Sequence, residues 1–182
     1  MDNLRTLASK RMYTGHVVSL VIDEIQYPSG ATGIREVIEH PGGAVAVPLL
    51  DDNTLLLVRQ FRYPTKETVL ELPAGKLDPG EDPETCARRE LEEETGYVAG
   101  RVEKLTAIYT TPGFCNERLH LFLARDLRKN DRGPLHTEGE VGMTLEPLDF
   151  GRAMEMIRNG DIVDAKTICG IMLTYFRLHS SS

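Results

Sequence analysis

Apolar and polar residues alternate in short runs through the first third of the chain, which is the pattern of half-buried β-strands. Residues 16–27 alternate in part, the Pro-Ser-Gly sequence at 28–30 supplies turn chemistry, and a second run covers 33–40. The sequence therefore predicts a β-hairpin here. Two more apolar runs, 43–50 and 54–60, follow the same logic and predict a second hairpin with more deeply buried strands.

Helix signals follow the strands. Asp82 is a suitable N-cap, Pro83 a suitable first helical residue and Gly96 a suitable stop. The remaining pattern predicts strands at 101–110, 118–124 and 141–148, helices at 149–158 and 164–179, and loops opening at Pro73 and Gly75 and covering 126–140. Strands interleaved with a few helices, without regular βαβ repetition, predict a mixed α/β (α+β) fold.

Composition narrows the function classes. The chain has 182 residues and a formal net charge of -7, which disfavours nucleic acid and anionic membrane surfaces as partners. The three cysteines lack the paired spacing of a zinc or redox motif, and no run reaches the length of a membrane span. These features predict a cytoplasmic protein with reduced thiols.

The predicted helix after Asp82 carries the most specific chemistry. Glu90, Glu93 and Glu94 are three and four residues apart and share one helix face. Crowded carboxylates call for a cation, and hard oxygen ligands suit Mg²⁺ or Mn²⁺. Taken alone, the cluster has a simpler interpretation, a solvated face whose glutamates pair with Arg88 or Arg89.

The flanking residues favour the metal site over the solvated face. The spacing G-x5-E-x7-R-E-U-x-E-E-x-G-U is met without a gap from Gly75 to Tyr97, and this stretch resembles the Nudix box. The resemblance implies an α/β/α sandwich with a mixed sheet and a metal-dependent hydrolase of phosphoanhydrides. It further implies metal ligation by Ala74 (through its carbonyl), Glu90, Glu93 and Glu94, with Glu93 also counted as catalytic, and orientation of these groups by Arg89 and Glu81.

Further stretches are similar to the ADP-ribose pyrophosphatase subfamily. Pro112 stands fifteen positions after Tyr97, and residues 58–63, 70–75 and 163–167 also match its pattern. The resemblance implies hydrolysis of ADP-ribose to AMP and ribose 5-phosphate. It also implies a homodimer, with an N-terminal strand extension (1–40) that forms the dimer and a Nudix domain (41–182), and substrate contacts from Arg62, Glu71 and Arg118. A surface ion pair is the simpler alternative for Arg62.

The catalytic base is expected on the acidic loop after the box. Glu138 and Glu140 occupy the position that the subfamily uses, and two residues apart in extended backbone they would project to one side. The resemblance favours Glu138 as base and Glu140 as an outer metal ligand, although the roles could be exchanged. Both could also be ordinary solvated carboxylates.

Three other functions stay open. GDP-mannose or another nucleotide sugar would use the same metals and chemistry with a different base pocket. A catalytically silent Nudix module would bind nucleotide only, although such a module has no need of every box glutamate. A purely structural role is disfavoured by the motif.

Overall fold

The computed structural model describes residues 4–135 and 142–179. Within them the chain forms ten strands and three helices: β1 (Arg5–Thr14), β2 (Ser19–Gln26), β3 (Thr32–Glu39), β4 (Gly43–Pro48), β5 (Thr54–Arg62), β6 (Glu67–Glu71), β7 (Ala74–Lys76), α1 (Pro83–Thr95), β8 (Tyr97–Tyr109), β9 (Arg118–Lys129), β10 (Thr144–Asp149), α2 (Phe150–Asn159) and α3 (Ala165–His179). Contacts divide the chain into two compact units, one made of Met1–Gly42 with Tyr109–Arg118, and the other of Gly43–Ile108 with Leu119–Ser182.

The first unit is built on an antiparallel sheet in the order β1-β2-β3. The hairpin predicted from 16–40 is confirmed as β2 and β3, which pair from Ser19↔Glu39 to Gln26↔Thr32. The edge strand β1 was not singled out by its pattern, because every one of its ten residues is exposed and no buried face imposes alternation.

The second unit contains a mixed sheet in the order β7-β4-β9-β8, in which β4 runs parallel to β9 and antiparallel to β7. The two faces of strand β4 pack against different helices. Ala44 and Ala46 pack with α1 on one face, whereas Val45 and Val47 join the core that includes α2 and α3 on the other. Helices on both faces of a mixed sheet confirm the predicted α/β sandwich.

The predicted hairpin of 43–50 and 54–60 is wrong. Strand β5 belongs to a separate sheet, β10-β5-β6, and meets the end of β4 only through the isolated bridge Leu49↔Leu55. The reason is burial: all six residues of β4 are buried, because β7 and β9 flank it and helices cover both faces.

Two predicted loops are also corrected. Gly75 lies in the short strand β7, whose partner is the stretch Gly43–Val45. Strand β9 continues to Lys129, although 126–140 was predicted as loop. Polar residues dominate the end of β9, although Leu127 still packs against the core, and Asp126 within the strand has a φ of 55°.

All three predicted helices are present. Asp149 caps α2 by accepting from the Arg152 amide at 3.0 Å, and Gly160 ends it in the left-handed conformation. Helix α3 packs closely on the core, since a Cβ on Gly170 would lie 2.5 Å from Leu72. None of the described helices is both long and apolar enough to cross a membrane.

Candidate active site

Helix α1 is oriented by its ends and by one apolar face. The Asp82 side chain accepts hydrogen bonds from the amides of Glu84 and Thr85 at 3.0 and 3.1 Å, and Gly96 closes the helix with φ 72°. Cys86, Ala87 and Leu91 are buried against the mixed sheet. This packing confirms the predicted helix and sets the direction of its glutamates.

Arg89 links the loop before α1 to the carboxylates on it. Its Nε and Nη2 donate to the two oxygens of Glu81 at 2.9 and 3.0 Å. Its Nη1 donates to Glu90 at 2.7 Å and to Glu93 at 3.0 Å, and Nη2 also donates to the carbonyl of Lys76 at 3.2 Å. A single planar guanidinium therefore orders three carboxylates at once.

These contacts change the pKa values of Glu81, Arg89 and Cys86. The hydrogen bonds from Arg89 hold the pKa of Glu81 at about 2, and those to Glu81 and Glu90 raise the pKa of Arg89 above its usual range. Burial, with the charges of Glu81 and Glu90, raises the pKa of the Cys86 thiol to about 12. Cys86 is consequently a protonated packing residue, since thiolate is the reactive form.

The glycine of the box makes room for a carboxylate. A Cβ on Gly75 would lie 1.9 Å from the carboxyl carbon of Glu90, so any side chain here would displace that group. Glu94 is 4% exposed and accepts a hydrogen bond from the Ala74 amide at 3.3 Å. Strand β7 therefore contacts α1 at Glu90 through Gly75 and at Glu94 through Ala74, while metal ligation by these residues stays a prediction.

The donor set is suited in chemistry and charge to a hard divalent ion. We name Glu81, Arg89, Glu90, Glu93 and Glu94 the box cluster; four carboxylates and one guanidinium give it a formal charge of -3. Among the described residues, no three acidic, His or Cys side chains converge as they would around a metal. Arg89 instead takes one oxygen each of Glu90 and Glu93, and the carboxylates of the cluster outnumber its one guanidinium four to one.

A second cluster lies at the ends of β5 and β6 and the start of α3. Arg62 donates to both oxygens of Glu71 at 2.7 Å, and Lys166 contacts Glu71 as well as Asp164, the latter at 3.0 Å. We name these four residues the Glu71 cluster. Burial alone would raise the pKa of Glu71, but Arg62 and Lys166 outweigh it and lower the pKa.

The Glu71 cluster is tied to the fold through its neighbours. Asp164 accepts from the amide and hydroxyl of Thr167 at 2.9 and 2.6 Å, and the Thr167 hydroxyl in turn accepts from the Leu72 amide at 2.8 Å. Sequence reasoning assigned no site role to Asp164 or Lys166. Their resemblance to the subfamily's last helix was a signal, but no local pattern indicates that Lys166 reaches Glu71, 95 residues away.

The other predicted site residues are not brought together with these clusters by the described contacts. Glu138 and Glu140 lie outside the described residues. Arg118 belongs to the first unit, where its guanidinium lies over the ring of Tyr109, 5.8 Å from the centroid. The roles of all three stay predictions.

Known proteins similar to this chain agree with the motif. The chain is 38% identical to an ADP-ribose pyrophosphatase of Bacillus subtilis (strain 168) over 92% of this chain and 90% of that one. It is 36% identical to an ADP-ribose pyrophosphatase of Mycobacterium tuberculosis (95% and 84%) and 38% identical to a GDP-mannose pyrophosphatase of Salmonella paratyphi B (79% and 77%).

A solved structure described as an ADP compounds hydrolase has the same fold, with a TM-score of 0.86 at 20% identity over 99% of this chain and 96% of that chain. The Nudix domain profile matches residues 40–162, which include the whole box cluster. The chain therefore belongs to the Nudix family.

Proposed function

We propose that this protein hydrolyses the pyrophosphate bond of ADP-ribose to AMP and ribose 5-phosphate. The observation that carries the proposal is coverage: the relatives named for ADP-ribose match 92% and 95% of the chain, whereas the GDP-mannose relative matches 79%. The box cluster supplies the general chemistry of the reaction, because a charge-dense pyrophosphate needs cationic shielding before water attacks it.

The proposed cofactor is Mg²⁺ or Mn²⁺, held by Glu90, Glu93, Glu94 and the carbonyl of Ala74. Support comes from the formal charge of -3, the burial of Glu90 and Glu94, and the all-oxygen donor set. When bound, such an ion would shield the phosphates and make an attacking water more acidic. The contribution of Arg89 and Glu81 is positional, because they hold Glu90 and Glu93 in place from one side.

Glu138 is the proposed base, with Glu140 as an outer metal ligand. The support is the subfamily resemblance, together with one contact of the described chain before this loop: the Leu135 amide donates to the carbonyl of Glu93 at 2.7 Å.

Arg62 and Arg118 are the proposed phosphate or ribose contacts, together with Glu71. Arg62 is 41% exposed while it pairs with Glu71, which is 3% exposed, so the guanidinium retains donors and surface for a phosphate. In this proposal Glu71 also holds Arg62 in position.

The direct test is hydrolysis of ADP-ribose with Mg²⁺ in ¹⁸O-labelled water. We expect AMP and ribose 5-phosphate in equal amounts, no orthophosphate, and label in only one product, which identifies the attacked phosphorus. Inert ADP-ribose beside rapid cleavage of GDP-mannose would favour the second candidate, which the 38% identical relative supports. Binding of both without cleavage would indicate a silent module.

The proposed assembly is a homodimer formed through residues 1–40. The edge strand β1 pairs with β2 on one side and exposes Leu7, Met12 and Tyr13, at 42%, 49% and 60%. Exposed apolar side chains on an edge strand are normally covered in a stable protein, although β1 also carries Arg5, Lys10 and Arg11. Light scattering should give twice the chain mass of 20.3 kDa, and Leu7→Glu with Met12→Glu should return it to one chain.

The cytoplasm is the proposed compartment. All three cysteines, Cys86, Cys115 and Cys169, are free, which fits a reducing environment. Mass spectrometry after alkylation without reductant should find all three modified in the denatured protein.

A further inference from the structure

A cleft of about 280 Å³ opens on the face of the mixed sheet that carries α3. Its walls are Arg101 and Glu103 of β8, Leu123 and Arg125 of β9, and Arg177 and Leu178 of α3. Residues two apart on a strand share a face, so Arg125 follows Leu123 towards α3 while Phe122 and Ala124 face α1. The cleft is therefore separated by the sheet from the helix that carries the box cluster.

Positive charge dominates this cleft in a chain whose net charge is -7. Among the lining residues that the structure describes, three guanidiniums face one carboxylate, a formal balance of +2. Glu103 is shared, since it lies 2.8 Å from Arg101 and 3.5 Å from Arg177. One carboxylate cannot neutralise three arginines, and arginine does not lose its proton in proteins.

Arg125 provides the main evidence that this cleft binds a ligand. Its Nε is buried and has no hydrogen-bond partner within the part of the chain that the structure describes. A buried charged donor without an acceptor is costly, and such a group normally has a protein, water or ion partner. The exposed Arg101 and Arg177 stand at the rim of the same cleft, with donors suited to an oxyanion.

We propose that Arg101, Arg125 and Arg177 form a binding site for a phosphate-type oxyanion, distinct from the box cluster. The planar forks of arginine match the oxygens of phosphate. The C-terminal end of α3 carries the negative end of the helix dipole, which opposes an anion, so the guanidiniums must supply the binding. The ligand is either inorganic phosphate or a phosphate monoester.

Titration of the ¹⁵N-labelled full chain without divalent metal tests the site, at constant ionic strength. Arginine Nε–H resonances report each guanidinium, and Arg125→Lys assigns the one of interest by removing it. We expect inorganic phosphate to shift the Arg125 resonance saturably. Arg101→Gln and Arg177→Gln, both exposed, should each raise the half-saturating concentration about tenfold, as expected when a charge-assisted hydrogen bond is lost.

Arg158→Gln is the matched control, because Arg158 is also an exposed arginine in the last turn of a helix. It should leave the titration unchanged. A linear, unsaturated shift of Arg125, or equal titrations for all variants, would overturn the proposal. Tighter binding of ribose 5-phosphate than of inorganic phosphate would assign the monoester, and the reverse would assign the free ion; either outcome supports the site.

Discussion

The box cluster and the Glu71 cluster are both built from carboxylates and cationic side chains, but they differ in formal charge. In the box cluster one guanidinium serves several carboxylates, and the formal charge is -3. In the Glu71 cluster Arg62 and Lys166 match Glu71 and Asp164, and the formal charge is zero. The matched charges of the Glu71 cluster fit a structural role, whereas the excess of carboxylates in the box cluster fits the proposed binding of a divalent cation.

The two clusters are electrostatically connected. The pKa of Arg62 is raised chiefly by its hydrogen bonds with Glu71, and the charges of Glu94 and Asp164 add to the effect against the cost of burial. Arg62 thus belongs to the Glu71 cluster and also interacts electrostatically with Glu94 of the box cluster. This position fits its proposed role towards a phosphate bound beside the box cluster.

The largest effect should come from removing charge in the box cluster. We expect Glu93→Gln and Glu94→Gln each to lower the turnover of ADP-ribose at least about a hundredfold, because an amide keeps the shape and loses the charge that binds metal. Initial rates at saturating Mg²⁺ measure this. Glu84→Gln, on the same helix and 45% exposed, is the control and should retain its rate. Near-native turnover of both variants would contradict the metal assignment.

The second prediction concerns the acidic loop, whose carboxylates would add negative charge to the box cluster and increase its difference from the Glu71 cluster. Glu138→Gln should lower turnover by about a hundredfold at every Mg²⁺ concentration, as loss of a base does. Glu140→Gln should instead raise the Mg²⁺ needed for half-maximal rate, with partial recovery when metal is abundant. Rescue of Glu138→Gln alone would exchange the two roles, and wild-type behaviour of both would place the base outside this loop.

The Glu71 cluster should affect stability more than metal use. Glu71→Gln leaves Lys166 and Arg62 without their charge partner, and we expect the free energy of unfolding to fall by about 2–3 kcal/mol, less than for a fully buried pair because Arg62 is partly exposed. Urea denaturation measures the loss. Glu155→Gln removes an exposed pair with Arg152 and should cost little. If Glu71→Gln changed the Mg²⁺ concentration needed for half-maximal rate, the assignment of metal binding to the box cluster alone would be contradicted.

The smallest expected effect is on the acid dependence of stability. The hydrogen bonds from Arg89 lower the pKa of Glu81 to about 2 from its ordinary value of 4.5. Its ion pair therefore stabilises the fold fully above about pH 4.5, and this contribution is lost as pH falls through the folded pKa. Arg89→Met should flatten the dependence of unfolding free energy on pH between these values, whereas Arg88→Met should not. If unfolding free energy depended equally on pH in the two variants, Arg89 would not be the cause of the low pKa of Glu81.

Features decided by residues close in sequence were predictable. The cap at Asp82, the left-handed Gly96 and the turn between β2 and β3 depend on hydrogen bonds and backbone preferences within a few residues. The i, i+3 and i, i+4 spacing of Glu90, Glu93 and Glu94 likewise determines that they share a helix face. The box motif, and with it the family, could therefore be identified from the sequence alone.

Pairings between distant segments were decided only by the tertiary structure. The apolar runs of β4 and β5 look alike, but β4 is buried on both faces between β7 and β9 while β5 joins another sheet, because the partner of a strand depends on competition among all strands for burial. The same holds for Lys166 with Glu71, and for the three arginines that β8, β9 and α3 bring to one cleft. No local pattern records which charges the packing of a sheet and a helix will place together.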